Sequence, residues 1–399
     1  MWPPLPIVIG HIPENEGDDG LDNIIAALEH HDRVCESTLW RISNLQFEKV
    51  LAAMQRPFPA LRDLQLGFED EIDETAPVVP DLFLGGCASS LQTLYLQCIP
   101  FPGLPKLLLS ATGLVELELT RIPYSGYIPP DAMATCLSAL IRLESFKIGF
   151  KSPRSRPDWR KRRPPPRTRT LLPILTHLWF KGVSDYLDDF LAQIDAPLLD
   201  ELCIKFFHQL VFDTPQFTQF IYRTPKFMAH ELQARVNFSD SFVVITTQTF
   251  GVKLDLEISC SQTDWQLSSL AQVCSNSLWA LIHAVEYLYF EDVYLLRQWQ
   301  DDIESREWVE LLRPFITVKD LCISEEFVPR IVPALRELTR ERVTEVLPTL
   351  QTLFLDEPPP SGPVQEAIGH FVVARQLAGN PVAVSHWERQ DGEDGDSYY

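Results

Sequence analysis

A curved α/β solenoid, strand and helix alternating in every turn, is the fold class this sequence predicts, and two observations carry the prediction. The first is a short phrase, Leu-x-x-Leu-x-Leu, clearest at Leu114, Leu117 and Leu119. Apolar residues stand at its first, fourth and sixth places in eight further copies: Leu61/Leu64/Leu66, Leu91/Leu94/Leu96, Leu143/Phe146/Ile148, Leu175/Leu178/Phe180, Leu199/Leu202/Ile204, Val285/Leu288/Phe290, Val318/Leu321/Ile323 and Leu350/Leu353/Leu355. The second is their spacing. Consecutive copies begin 30, 23, 29, 32 and 24 residues apart from Leu61 to Leu199, and 33 and 32 apart from Val285 to Leu350. Recurrence at such a period marks stacked supersecondary units.

Each element has a local reason. In a strand, successive side chains alternate between faces, so the fourth and sixth residues point one way and the third and fifth the other. One turn cannot bury its leucines alone; stacking removes them from water at about 25 cal/mol per Å² of apolar area. The return stretches read as amphipathic helices. Phe47, Val50, Leu51 and Met54 after Asn44, Leu187, Phe190, Leu191 and Ile194 after Ser184, and Val364, Ile368, Phe371 and Val372 after Ser361 repeat at helical spacing behind a capping residue type. The expected architecture is therefore a leucine-rich-repeat-like solenoid, with parallel strands on a concave face and helices or loops outside. An ordinary doubly wound α/β domain is the alternative, since it also alternates strands and helices.

Along the chain, residues 1–30 form an acidic, proline-bearing segment ending in a cap helix with Leu21, Ile24, Ile25 and Leu28. Residues 31–387 are the irregular solenoid, opening on a degenerate strand at Val34–Ile42 that holds Ser37 where a large apolar residue belongs. Between Leu199 and Val285 the phrase fades. Glu231–Phe238 and Lys253–Ser259 read by alternation as strands of divergent turns, with Leu232, Ala234, Val236 and Leu254, Leu256, Ile258 facing inward, followed by a helix carrying Leu267, Leu270 and Val273. A terminal strand is expected within Pro381–Trp387, and residues 388–399 are an acidic tail expected to be disordered.

The 399 residues are 45% hydrophobic and 11% aromatic, enough for a substantial core. No apolar run approaches a membrane span, so a soluble intracellular protein, cytoplasmic or nuclear and monomeric, is expected. The eight cysteines include no Cys-x-x-Cys pair. A net charge of −21 argues against nucleic acid as the main partner. The exception is the proline-rich segment 151–169, with nine basic residues against Asp158 alone. It reads either as a solvated insertion or as an interaction or nuclear-import element built on Trp159, Arg160, Lys161, Arg162 and Arg163.

No catalytic, phosphate-binding or zinc-binding motif occurs, and neither a cofactor nor a metal is expected. His30 and His31, beside Glu29 and Asp32, are a weak metal-like cluster because neighbouring helical side chains diverge by about 100°. The acidic pair Asp188/Asp189 reads as a solvated face or as helix-start charge. The outward third and fifth places say more. Tyr95, Glu118, His177, Trp179, Tyr287, Tyr289 and Phe354 fall there, and aromatics without a core to enter are the kind of residue that anchors protein interfaces.

The phrases FPALRDLQLGF, FPGLPKLLLSATGLVELEL, DAPLLDELCIKFF, DTPQFTQFI and LPTLQTLFL resemble the leucine-rich-repeat region of fungal, basidiomycete-type F-box proteins. The likeness covers roughly residues 30–387. It implies a protein-recognition solenoid, not an enzyme, that serves as the substrate-binding part of a cullin-type ubiquitin ligase receptor. The F-box itself, a helical module that would contact the ligase adaptor, is expected to be missing before the first strand. A stand-alone interaction scaffold unconnected to ubiquitination is the second reading, and an unrecognised enzyme a distant third.

Overall fold

The computed structural model describes residues 5–11, 20–41, 43–68, 78–153, 168–228, 232–249, 251–291, 305–337, 345–356 and 362–386. Segment 154–167, with Trp159, Arg160, Lys161, Arg162 and Arg163, and the tail 388–399 lie outside them. The chain divides into two compact units, residues 1–207 with 214–227, and residues 208–213 with 228–399.

In the first unit the strands are β1 (Ile7–His11), β2 (Val34–Leu39), β3 (Asp63–Gly67), β4 (Thr93–Gln97), β5 (Glu116–Ile122), β6 (Ser145–Phe150), β7 (Thr170–Leu171), β8 (His177–Gly182), β9 (Ile194–Asp195) and β10 (Glu201–Phe206). Its helices are α1 (Leu21–Leu28), α2 (Asn44–Ala53), α3 (Leu104–Leu108), α4 (Pro130–Leu137), α5 (Ser184–Leu191) and α6 (Pro215–Arg223). The main sheet is parallel throughout, in the order β1-β2-β3-β4-β5-β6-β8-β10, while β7 and β9 form a separate two-stranded ribbon.

Register follows the phrase without a slip at its fourth and sixth places. Leu64, Leu94, Leu117, Phe146, Leu178 and Leu202 lie side by side, and so do Leu66, Leu96, Leu119, Ile148, Phe180 and Ile204. Every one is buried, as are the first-place residues Leu61, Leu91, Leu114, Leu143, Leu175 and Leu199. A one-residue slip would turn this whole set to the other face, so the repeated spacing fixes the pairing. Ser37 does pair with Leu64 and is fully buried, and its hydroxyl has no hydrogen-bond partner among the described residues.

Two local expectations are corrected. Ile7–His11, read as part of a proline-rich loop, is a strand paired with β2, so Val34–Leu39 is the second strand of its sheet. Helix caps also sit differently. Ser43, one residue ahead of Asn44, closes a capping box with Gln46, while α5 has Val183 at its cap position and Ser184 as its first helical residue.

The second unit contains β11 (Leu232–Phe238), β12 (Phe242–Thr249), β13 (Val252–Ser259), β14 (Val285–Glu291), β15 (Asp320–Ile323), β16 (Thr352–Leu355) and β17 (Ala383–His386), with α7 (Thr263–Asn276), α8 (Trp279–Ile282), α9 (Ser305–Leu312), α10 (Val328–Glu337) and α11 (Pro363–Leu377). Strands β11, β14, β15, β16 and β17 are parallel in that order. Leu288, Leu321 and Leu353 align, as do Phe290, Ile323 and Leu355, and all six are buried. The stretch read as divergent solenoid turns is instead an antiparallel meander of β11, β12 and β13. The inward sets Leu232/Ala234/Val236 and Leu254/Leu256/Ile258 are buried as expected, joined by Val243 and Ile245 of the unforeseen β12. Gly251 explains the reversal: it stands between Thr249 and Val252, the last pair of the β12–β13 ladder, at φ +74°, a conformation that glycine adopts without strain.

Candidate functional site

The third, fifth and seventh places, counted from the first residue of each copy of the phrase, form the sheet face opposite the buried leucines. In the first unit the fifth-place row runs Thr38, Gln65, Tyr95, Glu118, Lys147, Trp179, Cys203 across neighbouring strands. Adjacent strands lie about 4.8 Å apart, so these side chains meet. Glu118 and Lys147 pair at 2.9 Å, and the Lys147 ammonium lies 4.9 Å from the centre of the Trp179 ring. The pair is about one-third exposed, at 28% and 34%, which limits it to under about 1 kcal/mol. Trp179 owes its pose to Gly149 on β6: a Cβ built there would stand 2.7 Å from the indole. Glycine inside a strand marks such a close approach.

The same device occurs at the other end of the row. Trp40, just past β2, covers Gly67 of β3, where a Cβ would clash with its ring, and packs against Tyr95 with ring centres 4.8 Å apart. The Tyr95 hydroxyl donates to Gln97 Oε1 at 2.7 Å and accepts from Thr120 Oγ1 at 3.3 Å. Burial pushes the Tyr95 phenol above its ordinary pKa, with the Thr120 hydrogen bond opposing and nearby Glu118 adding to the rise. His177, at the third place of the phrase that begins at Leu175, is exposed, bonds Thr176 Oγ1 through Nδ1 at 2.8 Å and approaches Glu201 at 3.4 Å.

In the second unit Tyr287 occupies the third place of β14, and Tyr289, Cys322 and Phe354 form the fifth-place row. Cys322 is on this face but only 4% exposed, between its register neighbours Tyr289 and Phe354. Burial pushes its thiol up to about 12, with Asp320 and Glu291 adding to the rise, so it is not a nucleophile at neutral pH. The Arg235 guanidinium stands 5.1 Å over the Tyr289 ring and 3.4 Å from Glu291. Burial raises the Tyr289 phenol as well, against the lowering by Arg235.

Thus Tyr95, Glu118, His177 and Trp179 share one face of the first unit, while Tyr287, Tyr289 and Phe354 share the equivalent face of the second. Sequence reasoning missed Trp40, which falls beyond the six-residue phrase, and the Lys147 cap on Trp179. Gly67 and Gly149, both at the seventh place, were the available signal. Among the described residues no group of three or more His, Cys, Asp or Glu is arranged to hold a metal ion, and His31 Nδ1 sits 2.8 Å from the Pro57 carbonyl. No described helix is long and apolar enough to cross a membrane.

Gly149→Ala tests the glycine seat. The added methyl should displace the Trp179 ring from Lys147, change tryptophan fluorescence, and cost about 1 kcal/mol in urea titration because the clash is with a movable side chain. Unchanged fluorescence would mean the ring does not rest on Gly149.

The repeated register defines a leucine-rich-repeat-like α/β protein. No family model and no curated protein matches the chain. Solved structures similar to it include the leucine-rich repeat-containing protein LegL7 from Legionella pneumophila, at 13% identity over 90% of this chain and 95% of that one, with a TM-score of 0.31. Another is TLR13 in its complex with ssRNA13, at 13% identity over 89% of this chain and 45% of that one, with a TM-score of 0.29.

Proposed function

We propose that this protein is a non-enzymatic recognition module that binds a protein partner through the open strand faces, using Tyr95, Glu118, His177 and Trp179 in the first unit and Tyr287, Tyr289 and Phe354 in the second. The observation that carries this reading is the pair of glycine-seated indoles. Gly67 and Gly149 leave room for the rings of Trp40 and Trp179 on the face opposite the buried leucines. Rings already held in place lose little conformational freedom on binding, which is what makes aromatic anchors effective. The test is affinity capture from cells with wild type and Trp179→Ala. A specific partner should fall by about tenfold or more in recovery while the melting temperature changes little. Undiminished capture would remove Trp179 from the interface and overturn this reading.

The finer reading places the module as the substrate-binding part of an F-box receptor of a cullin-type ubiquitin ligase. It is supported by the likeness of the leucine phrases and by their irregular spacing of 23 to 33 residues. Co-expression with the cullin-ligase adaptor decides it. Stable co-purification supports the receptor role, whereas a folded chain that never captures adaptor favours the stand-alone scaffold.

A further inference from the structure

The open face of the first unit is electrically polarised along the strand direction. Its third-place row reads Glu36, Asp63, Thr93, Glu116, Ser145, His177, Glu201 across β2 to β10, with acids and no lysine or arginine. Its seventh-place row ends on Lys181 and Lys205 and holds no acid. Between the two rows run Tyr95, the Glu118–Lys147 pair and Trp179. Glu36 and Glu116 are exposed; Asp63 accepts a hydrogen bond from Gln65, and Glu201 lies beside His177.

We propose that this face takes a basic, extended polypeptide segment laid across the starts of the strands, its arginine or lysine side chains reaching the third-place carboxylates and its apolar side chains meeting Tyr95 and Trp179. The proposal rests on the recognition reading above and names its partner's chemistry. Three strand spacings of about 4.8 Å separate Glu36 from Glu116, some 14 Å in all, while same-side residues of an extended chain repeat every ~6.7 Å. Basic residues at alternate positions therefore stay within side-chain reach of consecutive acids. The seat of Lys147 on Trp179 shows that the face already holds a cation against an indole. A phosphate backbone would meet the same row with like charge, so the charge pattern favours a polypeptide over nucleic acid.

The experiment titrates the full chain with a fluorescent peptide of about 12 residues alternating arginine and leucine with serine, and compares two variants of equal charge change. Glu36→Gln/Asp63→Asn/Glu116→Gln neutralises the row, and Asp22→Asn/Glu29→Gln/Glu48→Gln neutralises exposed acids at α1 and α2. The row variant should weaken binding about tenfold and the control under about twofold, because charges beyond a Debye length of ~10 Å are screened. Equal loss in both, no binding by wild type, or equal affinity for an aspartate-serine peptide or polyuridylate overturns the proposal. Where the triple variant does not fold, Glu116→Lys alone, at an exposed position, gives the same reading. If Trp179→Ala abolishes partner capture while the row variant retains peptide, the recognition reading stands and the basic partner falls. If Trp179→Ala also leaves capture intact, both fall.

Discussion

Leu117→Ala is expected to destabilise the first unit by about 2 to 5 kcal/mol, and to lower its melting temperature by roughly 6–12 °C for a loss near the middle of that range. Leu117 is 1% exposed and sits in register between Leu94 and Phe146, both fully buried, so truncation opens a cavity that flanking strands cannot fill without breaking a ladder on either side. Loss of burial and an unfilled void act together, which is why the cost exceeds the transfer energy of the three carbon groups removed. Trp179→Ala is the control. Its ring lies on the opposite face against Gly149 and Lys147, so the loss should stay near 1 kcal/mol. Urea titration of both variants checks the pair, and an equal drop would mean that Trp179 supports the core rather than the open face.

That contrast was legible in the amino-acid sequence because the phrase specifies faces, and a face once assigned to one copy is assigned to all nine. Leu64 to Leu202 and Leu288 to Leu353 follow from spacing alone. What was hidden involves residues without a place in the phrase. Ile7–His11 is a five-residue strand in proline-bearing text, where β-propensity is outweighed by its surroundings until β2 supplies a pairing edge. Strand β12 alternates Val243 and Ile245 clearly enough, yet a turn period imposed from the flanking copies left no room for a hairpin at Gly251. On the site, aligning the fifth places already puts Glu118, Lys147 and Trp179 side by side. The missing step was to treat cross-strand neighbours some 30 residues apart as contacting pairs.

Asp188, read as a solvated face or as helix-start charge, is buried and serves the start of a neighbouring helix, so it holds two turns together, and Asp188→Ala should cost about 2 kcal/mol. It lies on α5 but is only 6% exposed, and its Oδ1 accepts from the backbone N–H groups of Gln216 at 2.7 Å and Phe217 at 3.0 Å. Those amides belong to the first turn of α6, whose own cap residue, Thr214, makes no side-chain cap bond. A carboxylate from the preceding turn thus takes over the capping task, and it does so where the helix dipole favours negative charge. Alanine leaves two N–H groups at a helix start without their acceptor, whereas Asp188→Asn keeps the acceptor and removes only the charge, for about half the loss. Hydrogen exchange localises the effect: the Gln216 and Phe217 amides should exchange faster in Asp188→Ala than in wild type, ahead of any change in the strands. Equal destabilisation by asparagine and alanine would show that the charge at the α6 start, rather than the hydrogen bonds, joins this helix to its neighbour.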